Sequence, residues 1–70
     1  MTPWFVYIIS KRDKYYTGIT NHLQHRLKQH GVERALFVEK VATAREAARR
    51  EREIKGWNRA RKEALWKGGP

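Results

Sequence analysis

The sequence predicts a small α+β domain with elements in the order β-β-α-β-α-α. Three observations predict it. The chain opens with two short runs of β-branched and aromatic residues. Two stretches with helical apolar spacing follow, each closed by a glycine, and one partly alternating segment lies between them. Seventy residues make one domain, residues 1–70, with no room for a second.

Trp4-Phe5-Val6-Tyr7-Ile8-Ile9 is a continuous apolar run too short for a lone helix. It reads as a strand buried on both faces, hence a central one. Lys11-Arg12-Asp13-Lys14 breaks the run, and Tyr15-Tyr16-Thr17-Gly18-Ile19 resumes β character, so residues 4–19 are expected to form a hairpin. Its turn lacks the favoured glycine, since Asp13 is followed by Lys14. With an even loop of two or four residues, Ser10 pairs Tyr15, Ile9 pairs Tyr16 and Tyr7 pairs Gly18. Tyr7, Ile9 and Tyr16 then share a face, with the two phenols diagonal neighbours at roughly 7–8 Å. A three-residue loop would separate them. The even loop is the expectation.

Thr20 or Asn21 is placed to cap a helix that runs to about His30 and ends at Gly31. Leu23 and Leu27 form its buried stripe. His22, Arg26 and His30 form a second stripe bordering the core, where Arg26 can lie over the sheet edge. Residues 31–34 are a short connector, and residues 35–41 are expected as a third strand. Thr43-Ala44-Arg45-Glu46 is a capping box, opening a helix to about Lys55, before Gly56. Ala44, Ala47, Ala48 and Ile54 form its apolar arc. Glu51 lies within that arc, whereas Glu46 and Glu53 point away. A carboxylate on a packing face is costly unless something pairs with it. Two readings stand for Glu51: a salt bridge to an arginine at the helix–sheet seam, or a metal ligand. Asn58 then caps a last, basic helix, with Trp57, Ala60, Ala64 and Leu65 expected inward and Trp66 partly exposed. Residues 67–70 are expected as a frayed end.

Sixteen Lys and Arg against seven Asp and Glu give a net charge of +9. The excess sits in two blocks, residues 11–30 and 45–67, while residues 31–44 are neutral. A partner rich in phosphates matches this, because neutralising phosphates releases counterions. Lys11, Lys14, Arg26, Lys28, Lys55, Arg59, Arg61 and Lys62 are the candidate nucleic-acid contacts. Simple solubility, or another acidic partner, accounts for the same excess. Cysteine is absent, so disulfides and thiolate metal sites are excluded, and three histidines without cysteine argue against zinc. No glycine-rich phosphate loop and no Ser-His-Asp or Cys-His arrangement is present. No apolar run approaches the ~18 residues of a membrane span, and no cleavable signal opens the chain. A soluble, cytoplasmic protein is expected.

What remains is Tyr7, Tyr16, Arg26, His30 and Glu51, a set that suits phosphodiester cleavage. Mg²⁺ (or Mn²⁺) needs only one or two carboxylates when waters and substrate phosphate complete its shell, so Glu51 alone could serve. A phenol near a cation can act as a base toward water. Arg26 could brace the charge that builds on the transferring phosphoryl group.

Val6-Tyr7, then Tyr16-Thr17-Gly18, then Arg26 and His30, then Glu51 within RREREIK: in this order and spacing the chain resembles the GIY-YIG nuclease superfamily, and most of all its short single-domain members. The likeness spans roughly residues 4–65. It implies a central three-stranded antiparallel sheet flanked by helices, one divalent metal, and hydrolysis of DNA by an activated water. Under it Glu51 matches the metal-binding glutamate and Arg26 the phosphate-stabilising arginine. Tyr7 and Tyr16 match the motif tyrosines, Tyr7 as base and Tyr16 as its positioning partner. His30 matches a helix histidine that assists proton transfer. Phe5 replaces the first motif glycine, Thr17 replaces the middle isoleucine of the second tripeptide, and residues 31–34 replace a longer basic loop. The expectation is thus a metal-dependent DNA endonuclease, nicking or structure-selective, in repair or recombination. Its surface is small for reading sequence, which points to recognition of backbone and shape, or to a homodimer or a protein partner. The alternatives are a basic nucleic-acid-binding module with a vestigial site, and a structural or interaction domain.

Overall fold

In the computed structural model, which describes residues 2–67, the middle of the sheet is β1 (Trp4–Lys11). It pairs antiparallel with β2 (Lys14–Thr20) on one side and β3 (Phe37–Val41) on the other. The remaining elements are α1 (Leu23–His30), α2 (Ala44–Lys55) and α3 (Arg59–Glu63), giving the order β-β-α-β-α-α. The fold is therefore α+β with a three-stranded antiparallel sheet, as expected. Val6, Tyr7, Ile8 and Ile9 are all buried, and alternation divides them between two cores. Val6 and Ile8 pack with Ala47 and Ile54 of α2. Tyr7 and Ile9 pack with Leu27 of α1.

The hairpin has the even register, with Ile9 opposite Tyr16 and Tyr7 opposite Gly18. Its two-residue loop is Arg12-Asp13, with φ of 54° and 64°. Positive φ at both positions is what a type I′ turn requires, and the right-handed strand twist favours that turn. Aspartate tolerates this conformation; an arginine there costs on the order of 1–2 kcal/mol. A distant residue braces the turn. Arg59 donates from Nη1 to the Asp13 carbonyl at 3.0 Å.

Two expectations about α1 and the third strand are corrected. Neither Thr20 nor Asn21 caps α1; the cap position is His22, with no side-chain bond. Thr20 instead accepts the His22 N–H on Oγ1 at 3.0 Å, turning the chain before the helix starts. Gly31 does close α1, at φ 75°, as a left-handed residue should. The third strand begins at Phe37 rather than at residue 35, although Leu36 still donates to the Ile8 carbonyl at 2.8 Å. Val38, opposite Tyr7, stays 42% exposed, so α1 leaves that part of its face open.

Thr43 caps α2 as expected, accepting the Glu46 N–H on Oγ1 at 3.1 Å. Ala47 and Ile54 are buried and Ala48 is half-buried, but Ala44 is exposed. At about 100° per residue Ala44 stands some 60° off the Ala47 line, at the margin of the arc. Asn58 caps α3 through the Arg61 N–H at 2.9 Å. Ala60 and Ala64 are exposed rather than inward. A five-residue helix has hardly more than one turn, so it docks through its flanks. Trp57, Leu65 and Trp66 pack against the α2-side core, with Trp66 edge-on to Tyr15 at 5.1 Å between centroids. Of the expected frayed end, Lys67 is instead tied down, its N–H donating to the Glu63 carbonyl at 2.9 Å, and residues 68–70 lie outside the described residues.

Candidate active site

The pairing of Tyr7 with Gly18 builds the centre of the site. A Cβ at position 18 would lie 2.5 Å from the Tyr7 hydroxyl and 2.7 Å from its Cζ, so only glycine admits the ring across β2. The phenol, though only 4% exposed, has one defined polar partner. Its hydroxyl is 3.1 Å from His30 Nε2, and the two rings meet edge-on. Burial raises the Tyr7 pKa above the usual phenol value. The Arg26 guanidinium opposes that rise and the Glu51 carboxylate adds to it. Both charges thus act on one hydroxyl, although α1 and α2 pack on opposite faces of the sheet.

Beside this pair is a cleft of about 320 Å³, lined by Lys11, Arg12, Tyr16 and His30. His30 meets Tyr7 and the cleft alike. Tyr16 is 46% exposed, so its phenol is open to a ligand. Arg12 is absent from the sequence-based set of contacts. The signal was available: once Lys11 pairs with Lys14, a two-residue turn must present Arg12 at the end of the sheet.

Glu51 has a side-chain exposure of 23% and an ion pair to Lys55 Nζ at 3.3 Å. Its partner is the lysine one turn on, not an arginine at the seam. The seam pair exists elsewhere, between Arg50 Nε and Glu39 at 3.1 Å, with Glu53 also bound to Arg50. Among the described residues, no three His, Cys, Asp or Glu side chains are grouped so as to hold a metal. A lone, half-exposed carboxylate is a poor donor set for zinc. It fits Mg²⁺, which keeps most of its waters and takes one or two carboxylates.

The predicted basic contacts are not all gathered here. Lys11 lines the cleft; Lys14, Arg26 and Lys28 are exposed on the hairpin and α1. Lys55 is engaged by Glu51. Arg59 stacks on Tyr15 at 4.2 Å, binds the Asp13 carbonyl and pairs with Glu63. Arg61 lies 4.2 Å over the Trp57 ring, and Lys62 is half-buried on the same helix. Much of α3's charge is thus engaged within the fold. On the α2 side of β2, the Thr17 hydroxyl is buried with no hydrogen-bond partner among the described residues.

Residues 3–35 match the family model of the GIY-YIG catalytic domain. That segment holds Tyr7, Tyr16, Arg26 and His30 but stops short of Glu51. Two similar relatives are the UPF0213 protein YhbQ of Escherichia coli (strain K12 / DH10B) and that of Shigella boydii serotype 18 (strain CDC 3083-94 / BS512). Each is 55% identical over 31 residues, covering 43% of this chain and 31% of the relative. The match thus spans about a third of the length of these curated relatives. No solved structure matches the chain.

Proposed function

The chain is a member of the GIY-YIG superfamily, and from that premise we propose that it is a divalent-metal-dependent DNA endonuclease. The observation that carries this reading is the Tyr7 hydroxyl. It lies over Gly18, bonded to His30 Nε2, within the electrostatic reach of Arg26 and Glu51. Nicking or structure-selective cleavage in DNA repair or recombination is the role we infer, because so small a surface reads backbone and shape more readily than sequence.

Tyr7 acts as the base. Its phenolate, formed when the hydroxyl beside His30 Nε2 gives up its proton to solvent, takes a proton from the attacking water. The water oxygen bonds to phosphorus as the bond to the leaving oxygen breaks, and that oxygen takes a proton from solvent. Tyr16, open on the cleft, orients the attacked phosphate with Lys11. Arg26 offsets the charge that grows on the phosphoryl oxygens. Glu51 would hold a Mg²⁺ or Mn²⁺ ion, which when bound supplies positive charge at the same group. The raised Tyr7 pKa sets the pH dependence. Only the deprotonated phenol accepts water's proton, so the rate should climb with pH through neutrality into the alkaline range.

Cleavage of supercoiled plasmid and branched DNA with Mg²⁺ or Mn²⁺ tests the reading. Tyr7→Phe should lose roughly 10²–10⁴-fold in rate and flatten the pH profile. Arg26→Ala should lose roughly 10²–10³-fold. Glu51→Ala should abolish the metal-dependent cleavage. Equal activity in wild type and Glu51→Ala would sink the proposal. One observation favours a second reading, a basic nucleic-acid-binding module with a vestigial site: Lys55 already occupies the Glu51 carboxylate. That reading expects salt-sensitive binding without metal-dependent cleavage.

A further inference from the structure

The outer face of α2 carries Arg45, Arg49 and Arg52, all exposed, around a depression of about 270 Å³ floored by Ala48. Among the described residues, no ion pair or side-chain hydrogen bond engages any of the three. The same helix does pair its other cations, Arg50 with Glu39 and Glu53, and Lys55 with Glu51.

The arrangement is unfavourable for the helix itself. Arg45 and Arg49 are four apart and Arg49 and Arg52 three apart, so like charges are neighbours on one face. Arg45 also sits in the first turn, where the helix dipole disfavours a cation. Solubility alone needs no such stripe, since alternating pairs like Glu51–Lys55 provide it without repulsion. An anionic occupant turns the repulsion into attraction. At 1.5 Å per residue the stripe is about 10.5 Å long, close to three nucleotide steps of about 3.4 Å on one strand.

Charge around α2 is also one-sided. At about 100° per residue, one flank of the buried Ala47–Ile54 line holds Arg50 and the carboxylates of Glu46 and Glu53. The opposite flank runs from Glu51 past Lys55 and Ala48 to the stripe, and no further carboxylate lies on that path. A polyanion leaving Glu51 therefore meets only a lysine, two alanines and three guanidinium groups.

We propose that Arg45, Arg49 and Arg52 are a second anchoring site for the DNA backbone, holding phosphates on the strand that continues away from Glu51. The direction of that strand rests on the nuclease reading; the anchoring itself does not. The site lies beyond residues 3–35, on a different face from the cleft at Lys11, Arg12, Tyr16 and His30.

The test is fluorescence anisotropy of a labelled duplex of about 20 base pairs in EDTA, titrated across roughly 50–200 mM salt. The combined variant Arg45→Gln/Arg49→Gln/Arg52→Gln should lower the log–log salt slope by about 2–3 units, at ~0.9 per phosphate. Affinity at the lowest salt should drop on the order of 10- to 100-fold, while Tm holds or rises as the repulsion is removed. Arg49→Gln alone should lower the slope by about one unit. Glu51→Gln separates the two proposals, because it should stop cleavage and leave the slope unchanged. A slope change in the triple variant, with no cleavage by wild type, would remove the nuclease reading and leave the anchoring site standing. An unchanged slope and affinity in the triple variant overturns the site. So does a loss confined to an acidic polypeptide or to RNA.

Discussion

One missing methyl group determines where the Tyr7 phenol can be. Gly18 is needed for the close approach of that ring rather than for backbone freedom, since its φ is not in the left-handed region. Gly18→Ala should therefore push the Tyr7 hydroxyl off His30 and strain the α1-side core. Such overpacking typically costs about 1–3 kcal/mol, and thermal melts together with the His30 ring resonances would register it. Tyr7→Leu in the same chain should recover part of the stability but none of the contact. A stable Gly18→Ala variant with unshifted His30 signals would contradict the argument. At this scale the sequence was informative wherever parity applied. Strand alternation with an even hairpin loop put Tyr7, Ile9 and Tyr16 on one face, and helix spacing put His30 in a stripe bordering the core. It left Glu51 open between an arginine and a metal ion, because either is a good partner for a carboxylate. The Lys55 ion pair emerges only from side-chain geometry.

Among the elements, α3 is the one whose purpose changes once its contacts are known. It reads as a basic helix suited to phosphates, yet its charges hold the hairpin. Arg59 reaches the Asp13 carbonyl, while the Tyr15 hydroxyl donates to Glu63 and Trp66 closes on the Tyr15 ring. This clasp holds Arg12 and Asp13 in their costly left-handed turn and so shapes one wall of the cleft. The Tyr15 bond lowers the Glu63 pKa below the ordinary carboxyl value, with Lys67 and Arg59 assisting against partial burial. The same bond raises the Tyr15 pKa. A lowered carboxyl contributes stability above its unfolded pKa and loses it as pH falls through the folded one. The raised phenol contributes below its unfolded pKa and loses that as pH climbs through the folded value. Melts of wild type and Glu63→Gln should therefore differ at neutral pH and converge as pH falls below the ordinary carboxyl range; a constant gap would mean the clasp carries no such linkage. The caps at Thr43 and Asn58 could be read in advance, because a cap involves only four neighbouring residues. The docking of α3 could not, since it joins residues more than 40 positions apart.

Taken as a whole, the molecule hangs two cores on one strand. Val6 and Ile8 complete the core beneath α2, while Tyr7 and Ile9 complete the one beneath α1. The sequence made this arrangement readable, because a run apolar at every position can only be a strand covered on both sides. It did not show how little of the second side α1 covers, with Leu36 and Val38 still 37% and 42% exposed. Eight helical residues are simply too few, and their reach depends on a crossing angle that periodicity does not encode.

The shared strand also governs where this chain can change its length. Deleting one residue from the middle of β1 would rotate each following side chain to the opposite surface, so both hydrophobic layers would lose their members in a single event. Such a deletion should leave no cooperative melting transition. An insertion of several residues at positions 31–34, where no ladder keeps count, should shift Tm by only a few degrees; closing a loop twice as long costs about 0.6 kcal/mol. Drift among descendants of this chain should accordingly be recorded as gaps in the connector and as an unbroken count along the first strand.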